Sequence, residues 1–314
     1  MPAVTRVSVI VPARDARATL PAALDALAAQ NLDEPFEVVL VDDGSTDGTA
    51  EIAARHPIVT RVVPGGGRGP GAARNAGVSA SEGVVIAFTD ADCEPDPGWL
   101  RAGLRALESA DLVQGRVEPT GPAGPFDRTV RVGQLTTLFE TANLLVSREW
   151  FERVGGFEPW LSPKRTKELG EDVWLGWRLR RAGARVAFAP DALVRHAVFP
   201  GTPASFVAEK ARLRYFPEMA ARIPELRESF FHRRYFLNAR TAAFDLALAG
   251  VAAAAITRRP VALAATLPYA RHVWRTARPH GHGAPVVAAT RVAAEIVGAG
   301  ALVAGSLRAR SPLL

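Results

Sequence analysis

The stretch Val84-Val85-Ile86-Ala87-Phe88-Thr89-Asp90-Ala91-Asp92-Cys93 decides how the chain is read. Its first half is a continuous apolar run, the pattern of a strand buried on both faces in a parallel sheet. Its second half delivers two carboxylates at the strand's C-terminal tip, where open α/β sheets bind their ligands. Asp90 and Asp92 stand two apart and share a face on a continuing strand. If the chain turns there, both can still converge on one hard cation such as Mg2+ or Mn2+. A cation so held bridges carboxylates to phosphate oxygens whose like charges otherwise repel. A solvated Asp-rich turn explains the same pair taken alone, so the flanking sequence decides.

Upstream, Arg6-Val7-Ser8-Val9-Ile10-Val11-Pro12 reads as a strand, followed by a helix on which Leu20, Leu24 and Leu27 recur at helical spacing with Pro21 in the first turn. Phe36–Val41 is the next strand and ends in Asp42-Asp43-Gly44-Ser45-Thr46-Asp47-Gly48, a turn rich in helix-capping groups. Thr60–Val63 runs into Pro64-Gly65-Gly66-Gly67-Arg68-Gly69-Pro70-Gly71 and a helix over Ala72–Gly77. Strands alternating with short helices predict an α/β fold, a mostly parallel sheet with helices on both faces. Its polar loops all fall at strand C-termini. Asp43, the glycine-rich loop and the Asp pair therefore meet in one crevice, a nucleotide site by position.

A rival reading takes Gly67-X-Gly69-X-X-Ala72 as a dinucleotide fingerprint, with Asp90 as the ribose acid of an oxidoreductase. The loop follows the third strand rather than the first and is longer than the fingerprint's tight turn. Two aspartates also suit a metal better than one ribose hydroxyl.

Downstream, a helix runs from Pro97 through Leu104 and Leu107 to a strand at Asp111–Gly115, and Glu118–Pro125 is a turn-rich connection. Thr141–Ser147 reads as a sheet element and Glu149–Val154 as a short helix stopped by Gly155-Gly156. Lys164, Arg165 and Lys167 fall in a basic loop suited to closing over a diphosphate or to solvation. Glu171 and Asp172 open the next helix, where the macrodipole favours acids whether or not they do chemistry. A strand pair, Ala184–Phe188 and Ala192–Arg195, delivers His196.

With 314 residues and 48% apolar composition the chain can bury a substantial core. A single cysteine, Cys93, excludes an internal disulfide framework and suits a reducing compartment. No long hydrophobic leader precedes the first strand, which points away from secretion. The net charge of +6 is uneven: residues 201–314 hold 16 Lys/Arg against 6 Asp/Glu, and residues 1–200 hold 22 against 26. The basic character belongs to the tail.

Taken in order, Ser8–Pro12, Val41–Asp47, Gly71–Gly77, Asp90-Ala91-Asp92, Gly155-Gly156-Phe157 and Gly170-Glu171-Asp172 resemble the motifs of family 2 glycosyltransferases of the GT-A fold, over about the first 200 residues. The resemblance implies a Rossmann-like catalytic domain at 1–200 that uses a nucleotide diphosphate sugar. Pro12, Asp43, Arg74 and Asp90 would bind that donor, Asp43 through the base and Asp90 through the ribose or the metal-bound diphosphate. Asp92 and His196 would ligate the divalent cation. Asp172 would be the general base of an inverting displacement, with Glu171 beside it. Chemistry requires the same parts: the departing diphosphate must be neutralised, and the acceptor hydroxyl must lose its proton as it attacks. Arg14-Asp15 departs from the common pattern, where an aromatic and Asn are usual. Trp174 and Trp177 beside the base suit helical core packing or an acceptor sugar. A catalytically silent scaffold that only binds nucleotide is the alternative, and the joint presence of Asp92, Asp172 and His196 argues against it.

From Ser205 the composition shifts to Ala, Arg and Leu, predicting a helical appendage over 201–314. Phe206–Phe216 and Leu226–Leu237 mix aromatics with Arg at helical spacing, as helices on an anionic membrane surface do. Ala242–Thr257 and Val292–Leu307 are apolar but for Asp245 and Glu295. They are shorter than a typical span of about 20 residues, which favours peripheral docking on the cytoplasmic side of the membrane. A lipid-linked or cell-envelope glycan acceptor, polyprenyl-borne for instance, fits such a tail; nucleic acid is not expected as a partner.

Overall fold

The computed structural model describes residues 6–158 and 169–314, so the basic loop of Lys164, Arg165 and Lys167 lies outside the described residues. The chain divides into two compact units, one of residues up to Pro122 together with Thr129–Val198, the other of Ala123–Arg128 together with Phe199–Leu314.

In the first unit, β1 (Val7–Ala13), β2 (Phe36–Asp42), β3 (Arg61–Pro64) and β4 (Val85–Phe88) lie parallel in the order β3-β2-β1-β4. β4 is buried along its whole length and β1 at all but Pro12, which is why both read as unbroken apolar runs. α1 (Leu20–Ala28), α2 (Thr49–Arg55) and α3 (Pro70–Ser79) connect these strands, and α1 buries Leu20, Ala23, Leu24 and Leu27, the face its spacing predicts. The chain winds outward from β1 to β3 and then returns to the other side of β1 as β4. That reversal of strand order creates a crevice at the C-terminal ends, between the turn after β2 and the acids after β4.

The sheet then becomes mixed. β5 (Cys93–Pro95), β6 (Leu112–Pro119), β7 (Leu144–Ser147) and β8 (Val186–His196) extend it to eight strands in the order β3-β2-β1-β4-β7-β6-β8-β5. β7 runs antiparallel to both neighbours, β8 parallel to β6, and β5 antiparallel to β8. α4 (Trp99–Leu107), α5 (Arg148–Arg153) and α6 (Glu171–Arg181) complete the unit.

The expected strand pair at 184–195 is a single strand with an irregularity. Gly115 pairs with Ala189 but Arg116 pairs with Leu193, so three residues of β8 are skipped. Asn143 fills the break, its amide donating to the carbonyls of Arg116 (2.8 Å) and Ala192 (2.7 Å) while its oxygen accepts from Trp99 Nε1 (2.8 Å). A Cβ on Gly115 would stand 2.2 Å from that amide, so only glycine fits. The break re-aims the end of β8, which then pairs with β5 and sets His196 opposite Cys93. β5 itself, three residues long and ending in Pro95, left no periodic signal.

The second unit is helical: α7 (Pro203–Glu209), a 3-10 segment Lys210–Tyr215, α8 (Phe216–Arg222), α9 (Leu226–Ser229), α10 (Ala239–Thr257), α11 (Leu267–Ala277) and α12 (Ala284–Ala309). Asn238 caps α10 through the backbone N–H groups of Arg240 and Thr241. Leu226–Leu237 is not the single helix its aromatic spacing predicts. α9 stops at Ser229, and a His232–Phe236 bridge closes a turn in which Arg233 and Arg234 take positive φ. α10 and the stretch 260–309 are long and apolar enough to cross a membrane by length and composition, at mean hydropathy 1.5 and 1.7, and only 22% and 33% of their apolar windows is buried.

Candidate functional site

The turn after β2 and the start of α3 are joined by Asp43. Its two carboxylate oxygens accept the backbone N–H groups of Arg68 (3.0 Å) and Gly69 (2.9 Å), satisfying donors that a helix N-terminus leaves open. Asp43 is buried and locks the glycine-rich loop in place. The departure at Asp15 serves the same edge: it adopts positive φ, its carboxylate accepts the Thr46 N–H at 2.8 Å, and its own N–H donates to Ser45 Oγ at 3.0 Å. Pro12 is half-buried near the end of β1, in register with Val41.

One turn into α3, Arg74 turns inward with its side chain 5% exposed. Nη2 donates to Asp90 Oδ1 at 2.7 Å and Nη1 to Glu171 Oε1 at 3.4 Å. Burial works against a charge here, but Asp90, Glu171 and Asp172 together outweigh it and hold the guanidinium pKa above its ordinary value. Arg74 thus ties the acid at the tip of β4 to the acids that open α6. Phe157, of the Gly-Gly-Phe motif, lies under the guanidinium, 5.6 Å from ring centroid to Cζ.

Asp172 follows Glu171 and accepts the Val173 N–H at 2.8 Å. Burial, then the neighbouring charges of Glu171 and Glu140, push its carboxyl well above the usual carboxylate range, against the Val173 N–H and Arg74. Glu140 carried no sequence signal. It is held by Thr136 Oγ1 at 2.9 Å and 3.1 Å and is itself pushed up by burial. The loop that bears it is strained, with Thr137 and Phe139 at positive φ. Phe139 is fully buried edge-on to Trp177, whose Nε1 donates to the Thr137 carbonyl at 3.1 Å. A Cβ on Gly176 would stand 2.1 Å from the Phe139 ring. This loop therefore seats α6, and with it Asp172. Trp177 packs in the core, and Trp174 donates from Nε1 to Glu158 at 2.9 Å.

Asp92 and His196 meet at the β5–β8 edge. His196 Nε2 lies 3.6 Å from Asp92 Oδ2, and the Ala197 N–H donates to the Asp92 carbonyl at 2.8 Å. His196 Nδ1 is 2.7 Å from the Ala197 carbonyl, which can only accept, so Nδ1 carries the proton. In the neutral ring Nε2 is then a lone pair facing a carboxylate, the arrangement of a metal-ligating histidine whose tautomer a backbone carbonyl fixes. Donor atoms of Asp92, Cys93 and His196 all lie within 4.8 Å of one another. Cys93 is fully buried, and burial, then Asp90 and Asp92, push its thiol well above the ordinary range.

The predicted residues therefore gather into two groups, Arg74–Asp90–Glu171–Asp172 and Asp92–His196, joined through the Asp90-Ala91-Asp92 turn, with Asp43 anchoring the loop that leads to Arg74.

Comparison with known proteins bears on the family and the fold. Residues 8–158 match the family model for glycosyl transferase family 2. The glycosyltransferase AglE of Haloferax volcanii is 32% identical over 211 residues, 62% of this chain and 67% of that protein. A pre-mycofactocin glycosyltransferase of Mycobacterium tuberculosis is 31% identical over 182 residues, 51% of this chain and 37% of that protein. The mannosyltransferase PcManGT from Pyrobaculum calidifontis, solved with GDP-Man and Mn2+, superposes with TM-score 0.62 at 24% identity, covering 94% of this chain and 87% of that one. Residues 1–349 of TarS from S. aureus, solved with UDP-GlcNAc, superpose with TM-score 0.53 at 17% identity, covering 98% and 93%. The GT-A-like fold expected from the motifs is the fold of these structures.

Proposed function

The chain belongs to glycosyl transferase family 2, and from that membership we propose that it transfers a sugar from a nucleoside diphosphate sugar to a hydroxyl of a lipid-linked or cell-envelope glycan, with inversion at the anomeric carbon. The observation that carries this reading is the buried Arg74 guanidinium, which joins Asp90 at the tip of β4 to Glu171 at the start of α6. It couples the strand end expected to meet the donor to the acid pair expected to meet the acceptor.

Asp172 is the base. Glu171 is held by Arg74, and the raised proton affinity of Asp172 suits a group that must take a proton from a weakly acidic alcohol. The acceptor oxygen forms its bond to the anomeric carbon as the bond to the diphosphate oxygen breaks, and the hydroxyl proton passes to the Asp172 carboxylate. One base opposite one leaving group gives a single displacement and hence inversion. Asp43, through the glycine-rich loop, and Pro12 line the nucleotide, and Asp90 meets the ribose or diphosphate. Asp92 and His196 fit a divalent cation, one hard oxygen and one imidazole with its tautomer fixed. Bound there, Mg2+ or Mn2+ supplies Lewis-acid neutralisation of the departing diphosphate.

In this reading residues 1–200 carry the catalysis and 201–314 dock peripherally on the cytoplasmic face of an anionic membrane. Supporting this are the tail's excess of Arg and its exposed Leu246, Leu248, Val251, Ile256, Val261, Leu267 and Trp274. A panel of nucleotide sugars, read by released nucleoside diphosphate with and without Mn2+ or Mg2+, tests the donor and the metal together. NMR of the product linkage tests the stereochemistry. Metal-dependent release from one sugar nucleotide and an inverted product are expected; a retained configuration contradicts the single displacement.

A further inference from the structure

The helical unit contains a polar cluster that sugar transfer does not use. α10 contributes Arg240 and Asp245, α11 contributes Tyr269 and His272, spaced i, i+3, and α12 contributes Arg291 and Glu295, spaced i, i+4; Lys210 joins them from the 3-10 segment after α7. Arg240 Nε lies 2.7 Å from Glu295 Oε1. Lys210 and Arg291 both feel Arg240 and Glu295 electrostatically, and Tyr269 and His272 both feel Arg240 and Arg291.

What sets this cluster apart is incompleteness. Asp245 Oδ2, Tyr269 OH, His272 Nε2 and Arg291 Nε are buried atoms without a hydrogen-bond partner. Native proteins leave few such atoms, and a group of them on three adjoining helices calls for a common partner. The charges indicate its sign. Glu295 is engaged by Arg240, and the three cations Lys210, Arg240 and Arg291 crowd around it: burial, then Arg240 and Arg291, lower the proton affinity of Lys210, and burial, then Arg240, lower that of Arg291. Burial and Glu295 push the Asp245 carboxyl upward, towards its neutral, donating form. Burial likewise pushes the Tyr269 phenol up to about 12, so it remains a donor. A cationic set of N–H and O–H donors is complementary to an oxyanion with several acceptor oxygens.

We propose that Lys210, Tyr269, His272 and Arg291 bind a phosphate group. On the same helices, one to three residues from Asp245, His272 and Glu295 in sequence, stand the exposed apolar side chains Leu246, Leu248, Trp274 and Ile296. A phosphate carried on a lipid would meet apolar surface around a polar centre, and a free phosphate would use the centre alone. The site stands on the geometry of the helical unit; the lipid source rests on the membrane-docking reading above.

The test uses the full chain with no sugar nucleotide and no added metal, so its outcome is independent of catalysis. Inorganic phosphate is followed by 31P line broadening. Flotation is measured with phosphatidylcholine vesicles containing phosphatidic acid or phosphatidylserine at matched surface charge. The wild type should broaden the phosphate signal and prefer phosphatidic acid about tenfold, and Arg291→Gln should abolish both effects while its circular dichroism stays unchanged. Broadening without a phosphatidic acid preference supports the site and assigns it to free phosphate. Should Arg291→Gln fold poorly, Tyr269→Phe, which removes one donor and no charge, should weaken both readouts severalfold. Wild type indistinguishable from a folded variant on both probes overturns the proposal and leaves a structural ion network.

Discussion

The two units differ in what they do with apolar side chains that the core does not take. At the C-terminal end of the sheet, buried polar side chains stand with defined partners: Asp43 with two backbone N–H groups, Arg74 with Asp90 and Glu171, and His196 with the Ala197 carbonyl. In the helical unit Ile256 is 82% exposed and Val261 76%, while the buried residues include Glu295 and Tyr269. The first is the site proposed for catalysis, its polar side chains held by partners within the unit. The second has an apolar interior that includes Met219, Ile223, Leu226, Phe244 and Leu302, yet it also buries Glu295 and leaves large apolar side chains in solvent, and we propose that these meet a partner from outside.

The largest expected effect falls on the first unit. Asp172→Asn should lower sugar transfer by about 10²- to 10⁴-fold, the usual worth of a positioned general base, while donor binding measured by calorimetry stays near wild type. A variant that loses donor binding in parallel would move Asp172 from base to binding residue.

The same substitution should stabilise the fold. A carboxyl whose folded pKa lies above its unfolded value of about 3.9 binds more protons folded than unfolded, so its contribution is lost as pH rises from that value through the raised one. Asp172→Asn should therefore melt higher than wild type at pH 8, with the difference shrinking towards pH 4. A lower melting temperature at both would show that the charged form is not penalised.

Next in size, Arg74→Met should cost about 1–3 kcal/mol in denaturant unfolding, because it takes the buried cation away from the partly buried Asp90 and Glu171. A loss below 1 kcal/mol would mean that the two acids are already solvated. Gly176→Ala should cost about 1–3 kcal/mol by driving a methyl into Phe139, and it should lower turnover as well, since α6 carries Asp172. Unchanged turnover in a destabilised variant would separate the loop at 136–140 from catalysis. The smallest effect sharpens the other half of the comparison. Ile256→Asp should reduce vesicle flotation about tenfold with unchanged turnover on a soluble acceptor, and unchanged flotation would remove Ile256 from the docking face.

What could be read in the sequence divides along the same line. β1, β2 and β4 were legible because strands covered on both faces become unbroken apolar runs, and the Asp pair because it ends one of them. Glu140 was not, because the loop from 133 to 140 follows neither helical nor strand periodicity and its positive φ values fall on Thr137 and Phe139, residues that carry no turn signature. The β8 irregularity depends on Gly115 and Asn143, distant in sequence and meaningful only once β6 and β7 are adjacent. In the tail, alanine-rich helices showed where apolar runs lie but not which face they present. The unpartnered atoms of Tyr269, His272 and Arg291 emerge only when α11 and α12 are brought together.

The pH dependence of kcat tests the account's central claim most directly. With Asp172 as the base, turnover should rise with pH along an acid limb centred above the ordinary carboxylate range, and Glu140→Gln, which removes a like charge, should move that limb to lower pH. An acid limb in the ordinary range that Glu140→Gln leaves in place would contradict the assignment of Asp172.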